Sequence, residues 1–139
     1  MKGLINLDNI NIMEYWLNGS EEDYNVMKYL YNGKKNSYCL FFGHLVIEKL
    51  LKGLYAKNNK DNPYTIKSHN LLALAERCNL ELTTDQIEKL QIITQFNISS
   101  RYDDYKQTFN EKCTDDYTTE QIKNIEEVRE WLKKLLIEK

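Results

Sequence analysis

The chain has 139 residues, 42% of them hydrophobic and 29% charged, with a net charge of −2. That balance excludes a disordered chain and a protein that is basic overall, and the length is that of one domain able to bury roughly two-thirds of its unfolded surface. Three widely spaced cysteines without a Cys-x-x-Cys pair suggest neither a disulfide framework nor zinc.

No apolar run approaches the roughly 18 residues a membrane span needs. Asn6, Asp8, Asn9 and Asn11 interrupt the N-terminal apolar residues, so no signal-peptide core forms and the expectation is a cytoplasmic protein. The charge is uneven. Between Lys28 and Lys67, eight lysines face only Glu48 and Asp61, a balance of +6 that leaves −8 for the rest. Such a segment either makes a local anion-attracting face or solvates a long helix.

Taken in chain order, Ile12 to Asn32 reads as a first helix, with Ile12, Trp16, Met27, Leu30 and Tyr31 at helical spacing. Gly19 and Ser20 weaken its middle, and Gly33 is the expected stop. Lys34 to Lys57 reads as a second helix. Cys39, Leu40, Phe42, Val46, Ile47, Leu50, Leu51 and Leu54 fill half its circumference, and His44, Glu48, Lys49 and Lys52 lie opposite. So broad an apolar arc implies burial against at least two neighbours.

Asn58 to Lys67 reads as a loop with the only proline. Ser68 is the expected N-cap of a third helix, Asn70 to Cys78. Thr83-x-x-Gln86 and Thr118-x-x-Gln121 read as capping boxes opening the fourth and last helices. Ile98 to Tyr117 is too long for a featureless connection and predicts either a short helix or a functional loop. The expectation is an all-α fold, one domain over residues 1–139 with its core at about 13–136.

His44, Glu48 and Lys52 stack at four-residue spacing on one face of the second helix. The plain reading is a Glu48–Lys52 helix ion pair, worth about 0.2–0.5 kcal/mol if exposed. The functional reading is an anion site in which Glu48 orients Lys52 toward phosphate. His44 and Glu48 alone are too few ligands for zinc. Asp23 lies on the core face of the first helix and must find a donor, either a lysine of the second helix or Arg101. His69 is a packing residue or a general base without a nameable partner. Arg101 and Tyr102 either tie the long connection to the bundle, or offer a planar phosphate fork and a stacking ring. The ten tyrosines favour a protein partner.

Three segments together resemble the HEPN family (higher eukaryotes and prokaryotes nucleotide-binding domain). Trp16, Ser20 to Asp23 and Tyr31-Asn32-Gly33 look like its opening helix. Tyr38 to Tyr55 looks like its aromatic-rich second helix ending in Glu-Lys-x-x-Lys-x-Leu, here Glu48, Lys49, Lys52 and Leu54. Ser68-His69-Asn70-Leu71 is similar to its Thr-His-Asp-Leu start of helix three. Arg101-Tyr102 falls where members carry Arg-Tyr-Pro, with Asp103 replacing the proline.

The resemblance implies an up-and-down bundle of four or five helices, often dimeric. Such domains occur with minimal nucleotidyltransferases and in toxin–antitoxin and defence systems. Ribonuclease members carry an arginine and a histidine separated by four to six residues. Neither His44 nor His69 has an arginine at that distance upstream. The resulting expectation is a non-catalytic nucleotide- or nucleic-acid-binding module that dimerises or docks on a nucleotidyltransferase. The binding candidates are Glu48, Lys49, Lys52, His69, Arg101 and Tyr102, and no catalytic residue, metal or cofactor is assigned. Two alternatives stand beside it: a ribonuclease toxin with an atypical site, such as His69 with Arg101, and an antitoxin-like interaction protein.

Overall fold

The computed structural model describes residues 2–64 and 67–138, and among them all regular structure is helical. Six helices form rather than four or five. They are α1 (Lys2–Asn32), α2 (Asn36–Asn58), α3 (Leu71–Arg77), α4 (Thr84–Arg101), α5 (Asp103–Lys112) and α6 (Asp115–Ile137). The extra element is α5, so the 98–117 connection resolves into the end of α4, a short helix and the start of α6. Residues 65 and 66 of the loop expected from Asn58 to Lys67 lie outside the described residues.

Helix α1 begins at Lys2 instead of Ile12 and runs unbroken through Gly19 and Ser20. Its weak middle is held by tertiary contact: the buried Ser20 hydroxyl donates to the Val46 carbonyl at 2.9 Å. The helix ends at Asn32 with Gly33 just beyond it, as expected, but the left-handed residue is the one after the glycine. Lys34 takes φ 63, Lys35 N–H bonds the Leu30 carbonyl and Lys34 N–H bonds that of Tyr31. This is a Schellman end with lysine in the left-handed position that glycine usually fills. Helix α3 ends in the same way, with Asn79 at φ 57.

Two predicted caps move. Asn70, not Ser68, caps α3, its side chain accepting from Ala73 N–H. Thr114, not Thr118, caps α6, accepting from Tyr117 N–H, with Asp115 and Asp116 in the first turn where the helix dipole favours them. Thr118 sits one turn inside α6 and is fully buried. The Thr83–Gln86 box forms on both sides and opens α4.

Helix α2 is the centre, packed against α1, α3, α4, α5 and α6. Its apolar residues Leu40, Val46, Ile47, Leu50, Leu51 and Leu54 join Met27, Leu71, Leu74, Leu90, Ile93, Phe96, Ile125 and Leu132 in one core. Fully burying each such side chain favours the fold by roughly 1.5–3 kcal/mol. The face of α2 opposite the apolar arc is covered as well, so the Glu48–Lys52 pair is not an exposed one: His44 is 0% exposed and Glu48 5%. The segment before α3 and the C-terminal half of α4 cover them. Among the described residues no helix is long and apolar enough to cross a membrane.

Candidate functional site

The covered polar face of α2 is organised by Glu48. Its Oε2 accepts from Lys52 Nζ at 3.0 Å, one turn along the helix. Its Oε1 accepts from His69 Nδ1 at 2.8 Å. Lys52 Nζ also stands 5.0 Å from the centroid of the Trp16 ring, a cation–π contact from α1.

His69 lies in the segment entering α3, and that segment is anchored several ways. Asn70 caps α3. Leu71 N–H donates to the Thr94 hydroxyl of α4 at 3.1 Å. The His69 carbonyl accepts from His44 Nε2 at 2.8 Å. His44 Nδ1 faces the side-chain amide of buried Asn97 at 3.5 Å. Donation from Nε2 and acceptance at Nδ1 assign the neutral tautomer to His44.

The electrostatics agree with this geometry. Burial pushes the His44 pKa below its usual 6.5 despite the bond to the His69 carbonyl and the nearby Glu48 charge. The charges of His69 and Arg101 lower it further. Burial alone would raise the Glu48 pKa, but the His69 hydrogen bond and the Lys52 charge outweigh it and hold the carboxyl below 4.5. Glu48 is therefore a buried carboxylate that fixes one cation and one imidazole. The His69 side chain remains 49% exposed, with Nδ1 turned to Glu48.

Lys52 and His69 each contact Glu48 directly. Arg101 is the exposed last residue of α4, and its charge is felt at His44. Lys49 turns the other way. It reaches Asp23 of α1 at 2.7 Å, so these two form an ion pair of their own. Tyr102 occupies the α4–α5 junction with its ring 58% exposed and is not part of the Glu48 network. Among the described residues no group of three or more His, Cys, Asp or Glu side chains could hold a metal.

Asn97 and Trp16 complete the cluster and were not singled out for it. Asn97 carries no sequence signal, because only the packing of α4 on α2 brings it to His44. Trp16 has the apolar spacing of a core residue, and its partner Lys52 comes from another helix.

Comparison with curated proteins and with solved structures gives no significant match. The family model described as HEPN domain matches residues 13–135. With nearly all of its length covered by that match, the chain belongs to the HEPN domain family.

Proposed function

We propose that this chain is a nucleotide- or nucleic-acid-binding HEPN module that holds phosphate at the rim formed by Lys52, His69 and Arg101, without cleaving it. The observation that carries the reading is the double hydrogen bond of buried Glu48 to Lys52 and His69. A cation already fixed in place loses less side-chain entropy when it meets an anion. Lys52 cancels the charge of Glu48, so Arg101 leaves the rim net positive. The wider +6 segment supports it. The exposed Tyr29, Tyr38 and Tyr105 suit a second copy or a nucleotidyltransferase as partner.

Thermal unfolding against nucleotides and short RNA tests this. A ligand at 100 times its dissociation constant adds about 2.7 kcal/mol of stability. The expected result is a shift in the wild type that shrinks with salt and is lost in Lys52→Ala and Arg101→Ala. A shift untouched by both substitutions and by salt removes this site.

One observation favours a second reading, a ribonuclease with an atypical site. A buried carboxylate orienting a half-exposed imidazole is also how a general base is held. RNA cleaved by purified protein, but not by His69→Ala, would establish it. RNA left intact after long incubation would exclude it.

A further inference from the structure

Helices α4 and α5 follow one another across Tyr102, and a cleft of about 250 Å³ lies between them with Tyr117 of α6 in its wall. Helix α4 lines it with Ile92, Gln95, Phe96 and Ser99, and α5 with Tyr105, Thr108, Phe109 and Lys112. Each set is spaced i, i+3, i+4 and i+7, so each helix turns one whole face to the cleft. The floor belongs to the core: Phe96 is 1% exposed and Phe109 6%, and their ring centroids are 5.9 Å apart.

The cleft is separate from the Glu48 cluster. Asn97 faces His44, whereas Ser99 lines the cleft. Two residues apart, they are divided by about 160° of the α4 circumference.

The shape and the lining suit a ring. An apolar cavity of about 150 Å³ holds benzene, so this one has room for an aromatic ring carrying a short chain. Phe96, Tyr105, Phe109 and Tyr117 bring rings to it from three helices. Aromatic rings gain from offset or edge-to-face contact beyond the area they bury.

The polar groups call for an anion at the end of that chain. Among the described residues, Lys112 is the one charge lining the cleft and has no carboxylate partner. Its Nζ lies 5.2 Å from the centroid of the Tyr117 ring. Asp115, three residues on, does not answer it, because its two oxygens are held at 3.1 Å by Lys34 and at 2.9 Å by Asn36. Thr108 lies one turn before Lys112 on the same face of α5, and Cβ atoms at that spacing are about 5–6 Å apart. A hydroxyl and an ammonium so placed offer one donor to each oxygen of a carboxylate.

We propose that this cleft is a second binding site, and that it takes a small aromatic carboxylate. The ring enters against Phe96 and Phe109, and the carboxylate meets Thr108 and Lys112.

Amide NMR titration of the labelled protein with phenylpropionate, its neutral amide and acetate tests this. The acid should shift resonances of α4 and α5 around the cleft. The amide should bind there roughly two- to fivefold more weakly, the range of an exposed ion pair. Acetate, which has no ring, should leave those resonances unmoved. Lys112→Met keeps the stem and should bring the acid down to the level of the amide, with the amide unchanged. Ser99→Phe fills the cleft from α4 and Thr108→Trp fills it from α5. Either variant, once its melting temperature shows that it is folded, should abolish binding of both probes. Resonances that stay still with the acid, or an acid that binds no better than its amide, overturn the proposal. So does a wild-type dimer in sedimentation that Ser99→Phe takes apart, because the cleft would then be covered by a second copy of this chain.

Discussion

His69 is held twice from α2: Glu48 accepts its Nδ1–H at 2.8 Å, and His44 donates to its carbonyl at 2.8 Å. The two α2 residues are one helical turn apart, so one face of a central helix fixes both the backbone and the ring of a residue beyond a loop. Replacing Glu48 by glutamine keeps the shape and removes the charge. The amide cannot accept from both Lys52 and His69 as the carboxylate does. Glu48→Gln should therefore cost about 1–3 kcal/mol, the range for a lost buried charge-assisted bond. Urea unfolding at neutral pH measures it. A cost below about 0.5 kcal/mol, typical of an indifferent surface site, would mean that Glu48 does not organise this cluster.

Acid should destabilise the protein in two steps. Burial holds the folded pKa of His44 below its usual 6.5. Below 6.5 the unfolded chain takes up a proton that the folded chain refuses, so stability is complete above that pH and falls beneath it. Glu48 is also lowered, here from 4.5, and its contribution is present above 4.5 and lost as pH falls through the folded value. His44→Gln keeps a donor for the His69 carbonyl but does not titrate. Urea midpoints taken from about pH 8 to about pH 5 should fall in the wild type and stay flatter in His44→Gln. Equal slopes in the two proteins would show that another group titrates in this window.

The sequence patterns that survived folding are those set by local chemistry. The Thr83–Gln86 box is complete within four residues and forms as written. The apolar positions of α2 are buried, Phe42 only in part, because their spacing alone defines a core face. What failed depended on neighbours. His44 and Glu48 stand opposite the apolar arc on α2, but the segment before α3 and the α4 residue Asn97 close over them. Thr118 has the right residue three positions on, yet Thr114 comes first, with two aspartates for the helix dipole. The site was legible in part. His44, Glu48 and Lys52 can be aligned from spacing, whereas His69 reaches Glu48 only through the loop geometry. Lys49 and Lys52 look equivalent in sequence. The packing of α1 separates them, drawing one to Asp23 and the other to Trp16.

The three cysteines should be inert in the folded protein. Cys39, Cys78 and Cys113 are all buried. Burial pushes the thiols of Cys39 and Cys78 up to about 12 and that of Cys113 to about 11. The thiolate is the reacting species, so almost none is present near pH 8. A chromogenic disulfide reagent should label the native protein negligibly and label three thiols after denaturation. Rapid labelling of any one in the native state would show that its element opens locally.

Gly43 and Gly19 make a controlled pair, both interior helix glycines but with different surroundings. A Cβ at Gly43 would collide with Cδ1 of Ile125 and lie 3.3 Å from its Cγ1 and from Sδ of Met27, both buried residues. A Cβ at Gly19 would meet only the stem of Lys49, a flexible, part-buried side chain that can give way by a few tenths of an ångström. Both alanine substitutions gain about 1 kcal/mol of helix propensity, so that gain cancels in their difference. What remains is the overpacking at Gly43, worth about 1–3 kcal/mol. Chemical denaturation should place Gly43→Ala below Gly19→Ala by that amount. Adding Ile125→Val removes the colliding methyl and should recover part of the loss, a coupling between two residues in contact. If the double variant is no better than the sum of its parts, α6 does not pack on α2 at Gly43.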